Sequence, residues 1–243
     1  MSRLFLTRRP ASWAGQLIGI LTLETSIPYV PGNVSNATSF DFPVLYRTIP
    51  GASINRLLYG SDAALLGEVV AAAGELERLG VLAVTGACGF MARFQQQVTA
   101  ALNVPVFLSS LLQVPMLFAI TQRPIGIITA DARRLAREHF AACGVSPEIP
   151  LVVRGLQDSP EFSAAILQES GSLDSDLIES EVVSVAQDMI SQDPAIGTVL
   201  LECSDLPPYA RAIQRAVGRP VYDYMTMINW IAAGLRRQEF PKE

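Results

Sequence analysis

Short apolar runs bounded by Gly, Pro, Asn or Ser alternate along this chain with longer stretches whose apolar residues recur at helical spacing. That alternation marks buried parallel strands joined by crossover helices, and it confines the fold to the α/β class. The predicted strands are Leu17–Leu23, Pro43–Thr48, Val81–Thr85 and Pro105–Leu108, then Pro124–Thr129, Pro150–Arg154, Thr198–Leu201 and Pro220–Tyr222. Helical spacing covers Asp62–Leu79, Gly89–Leu102, Ala132–Ala142, Asp174–Ser191 and Pro207–Val217.

The two sets of strands also match residue for residue. Gly19, Ile20, Thr22, Pro43 and Arg47 fall on Gly126, Ile127, Thr129, Pro150 and Arg154 at one constant shift; Cys88, Pro105 and Val106 fall on Cys203, Pro220 and Val221 at a shift eight residues larger. An insertion around Ser170–Ser180 accounts for the change. The expectation is two similar parallel-sheet, Rossmann-like α/β lobes related by a pseudo-twofold axis, with a cleft between them. The boundaries are an N-terminal lobe 1–116, a C-terminal lobe 117–225, and a final segment 226–243 packing back on the first lobe.

Composition removes several chemistries. Of 243 residues, half are hydrophobic, enough for a sizeable core, and the net charge of −5 offers no basic field for nucleic acid or an anionic membrane. No apolar stretch reaches the roughly 18 residues of a spanning helix. The opening MSRLFLTRRPASWAG is basic but lacks a cleavage-site pattern, and reads as a ragged terminus leading into a strand. Three cysteines without close spacing read as reduced thiols of a cytoplasmic protein rather than as disulfides or a zinc site. Lys242 is the sole lysine, which excludes pyridoxal phosphate chemistry, and His139, the sole histidine, lies in a helical run suited to a surface or packing role. Neither a dinucleotide nor a P-loop fingerprint is present, so no cofactor and no metal are expected.

Thiol chemistry remains. Cys88 in TGACGFMARF and Cys203 in LLECSDLPPYA each end an apolar strand just ahead of a helix. Strand carboxyl ends are where ligands bind in open α/β sheets, and the unpaired N–H groups of a helix start favour an anion, here a thiolate of lowered pKa. Their shared position in the repeat would aim both at one cleft. Cys143, at a helix end, reads as a small core residue.

The paired cysteines resemble those of the aspartate/glutamate racemase superfamily, in which the second sits in a GCT-like motif followed by a polar residue and Pro; here Glu202-Cys203-Ser204-Asp205 precedes Pro207, and Thr85-Gly86-Ala87-Cys88-Gly89-Phe90 resembles the partner motif. The loop GILTLETSIPYVPGNVSNATSFDFPV is similar to the first-strand loop of an uncharacterised branch, whose Pro, Gly and Asn residues wall the site. The resemblance implies a homo-oligomer, an acid after the first strand corresponding to Glu24, and an assisting group after the second cysteine. That position, a histidine in many amino-acid racemases, is Asp205, which assists its thiol or caps the following helix.

The expected substrate is a small molecule bearing a carboxylate. One thiolate takes the proton from the adjacent carbon and the opposite thiol returns one, giving a cofactor-independent racemase or isomerase. A lyase or decarboxylase on the same site is the alternative, with arylmalonate decarboxylase-like or dimethylsulfoniopropionate lyase-like chemistry. A two-lobe binding protein of periplasmic type is a third reading. Charge on the carboxylate would be met by the N–H groups after each cysteine, including that of Gly89, and by hydroxyls of Ser109, Ser110, Thr129 and Ser204, each of which would also serve as a helix cap. Asn33 and Asn36 bind substrate or shape the turn; Phe90, Tyr46 and Tyr222 pack in the core or stack on substrate. Arg47 and Arg154 attract a dianion or form strand-edge ion pairs.

Overall fold

The computed structural model describes residues 13–60 and 64–237. The basic opening through residue 12, the first residues of the helix expected from Asp62, and Lys242 lie outside the described residues.

Two four-stranded parallel sheets carry the fold. Strands β1 (Ile18–Thr22), β2 (Val44–Thr48), β3 (Ala83–Gly86) and β4 (Val106–Phe107) form the first, in the order β2-β1-β3-β4. The second, from β5 (Ile125–Thr129), β6 (Leu151–Gly155), β7 (Thr198–Leu201) and β8 (Val221–Tyr222), has the order β6-β5-β7-β8. The registers repeat as well: Ile18 faces Val44 and Ala83, and Ile125 faces Leu151 and Thr198. Every strand of the second sheet therefore occupies the position that the sequence shifts require.

Helices α1 (Ile54–Tyr59), α2 (Ala64–Leu79), α3 (Gln95–Ala101) and α4 (Val114–Thr121) accompany the first sheet in sequence. Those of the second half are α5 (Arg137–Ala142), α6 (Pro160–Phe162), α7 (Ser175–Gln192), α8 (Ala210–Val217) and α9 (Tyr224–Leu235). Helix α6 runs on into a π turn, Ser163–Leu167. The extra residues of the second half are spread over several places between β6 and β7, the connection 168–174 among them.

Why glycine occupies the same place in β1 and β5 follows from close helix packing. A Cβ on Gly19 would lie 2.9 Å from Leu76 Cδ1 of α2, and one on Gly126 would lie 2.5 Å from Met189 Cε of α7. Each helix lies directly on its strand, leaving no room for a side chain.

Two expected helices differ. The helix expected from Ala132 begins only at Arg137, because Asp131 Oδ1 accepts the Arg133 N–H at 3.0 Å and holds a turn instead. The stretch expected as one helix from Gly89 starts as a 3₁₀ segment, Gly89–Phe94, before α3. Helix α4, in the sequence VPMLFAIT, has no polar face for periodicity to register.

Leu21 and Val84 of the first sheet share one buried cluster with Ile127 and Leu200 of the second. A smaller cluster joins Ile18, Ile20, Ala83 and Phe107 to Tyr224, Met227 and Ile228 of α9. Tyr224 also donates from its hydroxyl to Leu108 O at 2.7 Å, so the helix after the last strand is fastened to the first sheet. No helix among the described residues is long and apolar enough to cross a membrane.

Candidate active site

The order 2-1-3-4 reverses its direction of winding between the first and third strands, and the crevice above such a switch point is where open α/β sheets bind ligands. Both cysteines sit there. Cys88 follows β3 by two residues and Cys203 follows β7 by two, and both line a narrow pocket that opens to the surface. The first half supplies Thr25, Ile27, Tyr29, Ser35, Ile54 and Leu58; the second supplies Ala130, Ile166, Leu167 and the run Glu202–Asp205.

The two cysteine loops are bound to each other. Ser204 Oγ donates to Ala87 O at 2.8 Å, and Ser110 Oγ, just past β4, donates to Leu201 O at 2.9 Å. The loop 28–36 crosses over them, with Val34 N donating to Ser204 O at 3.4 Å. Asn33 Nδ2 donates to Asp205 Oδ1 at 2.6 Å, and the Cys203 thiol donates to Asp205 Oδ2 at 3.4 Å. Asp205 does not cap the following helix: both oxygens serve the site.

The electrostatics differ from the expectation for helix starts. The N–H groups of Phe90 and Asp205 do bond Cys88 and Cys203 and pull each thiol down. Burial outweighs them. Desolvation pushes both thiols far up, Glu202 adds to the rise at Cys88, and Asp205 then Glu202 add to it at Cys203. Cys203 also feels Cys88, which puts the two sulfurs within electrostatic reach of one another. Burial raises Asp205 as well, opposed by its bonds from Asn33 and Cys203.

Of the residues singled out in the sequence, Cys88, Gly89, Phe90, Cys203, Ser204 and Asp205 line the pocket. The others stand behind it or elsewhere. Glu24 is exposed and accepts from Gly51 N at 3.0 Å, away from the thiols. Asn33 reaches the site only through Asp205, and Asn36 caps a 3₁₀ turn while donating to Tyr29 O at 2.8 Å. Ser109 caps a turn through Leu111 N at 3.3 Å, and Thr129 donates to Glu202 Oε2 at 2.8 Å. The hydroxyls of Ser110, Thr129 and Ser204 thus donate to protein, not toward a ligand. Arg47 pairs with Glu75, Arg154 bonds Gln192, and neither lines the pocket.

Three groups escaped sequence reasoning. Tyr29 and Thr25 share a short hydroxyl–hydroxyl bond at the pocket wall, and Glu202 is fully buried beside both cysteines. An acid directly before Cys203 was visible in the sequence, but its depth was not. His139 is a packing residue, buried and meeting the Phe90 ring edge-on with centroids 5.3 Å apart. Cys143 is buried too, its thiol pushed up to about 12 by burial first and Glu202 second.

The model of the Asp/Glu/hydantoin racemase family matches residues 18–232, nearly all of the described chain. The chain belongs to that family. Its relatives within the family include a dimethylsulfoniopropionate lyase of Durusdinium sp. clade D, 31% identical over 225 residues that cover 89% of this chain and 74% of that protein. Dimethylsulfoniopropionate lyase 3 of Emiliania huxleyi strain CCMP1516 is 31% identical over 229 residues, 90% of this chain but 59% of that protein, so the chain spans about three fifths of its length. The family scaffold is seen in unliganded arylmalonate decarboxylase, with a TM-score of 0.60 at 16% identity over 90% of this chain and 92% of that one. A glutamate racemase from Bacillus anthracis gives 0.57 at 14%, covering 90% and 82%. Racemases, a decarboxylase and lyases thus share this fold.

Proposed function

We propose that this chain is a lyase that takes a proton from the carbon next to a carboxylate and expels a sulfonium group from the next carbon, on a substrate of the dimethylsulfoniopropionate kind. The observation that carries the reading is the sign of the pocket. Among the described residues that line it there is no Arg, Lys or His, whereas two carboxyl groups, Glu202 and Asp205, and two thiols face inward. A dianion such as a dicarboxylate or an arylmalonate would meet only like-signed or protonated groups there. A sulfonium cation meets Asp205 and the ring of Tyr29, which itself feels the Asp205 charge.

The cation also supplies what the resting thiols lack. Burial and carboxylate neighbours hold both protonated, and a positive charge placed beside them favours the thiolate. Cys203 acts as base, its proton passing to the hydrogen-bonded Asp205, while Cys88 faces the reacting carbon from the other lobe and assists. The thiolate takes the proton, the C–H electron pair becomes the new C=C bond, and the C–S pair leaves on sulfur. Dimethyl sulfide departs neutral and acrylate remains. The apolar wall of Ile27, Ile54, Leu58 and Leu167 suits the sulfonium methyl groups. Relatives of 31% identity that bear the lyase name support this branch over the racemase that the paired thiols equally permit.

Incubating the protein with dimethylsulfoniopropionate in deuterated water tests it. Acrylate in the proton spectrum and dimethyl sulfide in the headspace are expected. Intact sulfonium substrate, beside an amino acid that exchanges its α-hydrogen, would return the protein to the racemases.

A further inference from the structure

The substrate's carboxylate needs hydrogen-bond donors, and the hydroxyls of Ser110, Thr129 and Ser204 already donate to protein acceptors. Beside the thiols, one buried side-chain oxygen lacks a hydrogen-bond partner among the described residues. Glu202 is wholly buried; its Oε2 accepts from Thr129, while its Oε1 is buried with no hydrogen-bond partner among the described residues. A buried polar oxygen left open is unfavourable, and a bound ligand group that pairs with it relieves that cost. That carboxyl packs against the residue after Cys88: a Cβ on Gly89 would lie 1.9 Å from Oε1, so only glycine there leaves the Glu202 side chain in this position beside the thiol.

We propose that Glu202 binds the carboxylate of the substrate, as a carboxylic acid donating a hydrogen bond from Oε1. The inference rests on the lyase reading for its substrate class, though any carboxylate ligand of this pocket would use the same group. Two ionised carboxylates would repel, so the contact requires Glu202 to keep its proton. Its surroundings favour that: burial raises it to about 7, opposed only by the Thr129 hydroxyl bond. The titratable groups that feel it, Cys88, Cys143, Cys203 and Tyr224, are themselves held protonated by burial. Asp205 shares the pocket as the remaining carboxyl group. As the α-proton leaves, negative charge grows on the substrate's carboxylate oxygens, and a preformed acidic donor strengthens with it.

Propionate, which has no leaving group, separates this inference from the lyase reading. Calorimetric titration of propionate at pH 8, in two buffers of different ionisation enthalpy, is expected to show proton uptake by the wild-type protein. Glu202→Gln keeps a donor and is expected to bind propionate within a few-fold, with the uptake abolished. Its turnover of the sulfonium substrate should stay within about tenfold of wild type and lose the decline above pH 7. Glu202→Leu, with no donor, should bind propionate at least tenfold more weakly. No binding of propionate by the wild-type protein, binding without uptake, or equal uptake in Glu202→Gln overturns the assignment. A protein that binds propionate with uptake but leaves dimethylsulfoniopropionate intact refutes the lyase reading alone.

Discussion

Ser204 Oγ donates to Ala87 O at 2.8 Å, so the residue after one cysteine is fastened to the residue before the other. The bond crosses between the two repeats at the point where their thiols converge. Replacing Ser204 by Ala leaves the buried end of this link open. A loss of about 1–2 kcal/mol in urea unfolding is expected, with kcat lowered about tenfold because the sulfurs are no longer held in register.

If one thiol is the base and the other assists from the opposite lobe, both are needed at the reacting carbon. Cys88→Ser and Cys203→Ser should each lower dimethyl sulfide release by about 10²–10⁴-fold, the usual size of a lost acid–base contribution, with unfolding midpoints little changed. Full turnover in either variant would remove that cysteine from the reaction.

Asp205 adds to the rise of the Cys203 thiol, and on the lyase reading it also attracts the cation and takes the thiol's proton, so its electrostatic and binding effects can be read separately. Asp205→Asn removes a negative neighbour of Cys203, and iodoacetamide should alkylate that thiol at lower pH than in the wild-type protein. The same variant should show a raised KM for the sulfonium substrate, about tenfold, since the charge that meets the cation is gone, and a lowered kcat, since Asn cannot take the thiol's proton.

Gly89 touches Glu202 through both its carboxyl and its backbone: a Cβ there would lie 1.9 Å from Oε1 and 2.4 Å from the carbonyl oxygen. The side chain can turn away, but the carbonyl, three residues before Asp205 and just past the end of β7, cannot. Gly89→Ala is therefore expected to cost about 1–3 kcal/mol, read as a lower unfolding midpoint.

Burial raises Glu202 from its ordinary 4.5 to about 7, so the folded protein retains a proton that the unfolded chain gives up sooner. The resulting stabilisation is complete below about pH 4.5 and is lost as pH rises through 7. Unfolding free energy of the ligand-free protein should fall across that window, by at most about 3 kcal/mol from this group. Asp223, raised by burial to about 6, works in the same direction, so Glu202→Gln should flatten the profile without levelling it. Urea titrations at pH 5 and pH 8 measure the difference.

Much of the frame was readable because strand and helix leave periodic marks. The eight apolar runs became eight strands, and the glycines shared by β1 and β5 proved to be the places where α2 and α7 rest on the sheets. Helix α4 escaped because a segment apolar on every side has no period. At the site, adjacency in sequence located Cys88, Gly89, Phe90, Cys203, Ser204 and Asp205. It misplaced Glu24, whose carboxyl turns outward to Gly51, and it assigned to the ligand hydroxyls that the fold uses to join its own loops.

The repeat, written into residue identities, determined by itself two parallel sheets of equal order with a cysteine past the third strand of each, since spacing and apolar pattern are local properties of a chain. Only the tertiary structure decided what those cysteines face. Burial of Glu202, the bond from Cys203 to Asp205, and the absence of a cation among the described pocket residues arise from segments brought together across the chain. Desolvation depends on everything that surrounds a group, and no stretch of sequence contains its own surroundings.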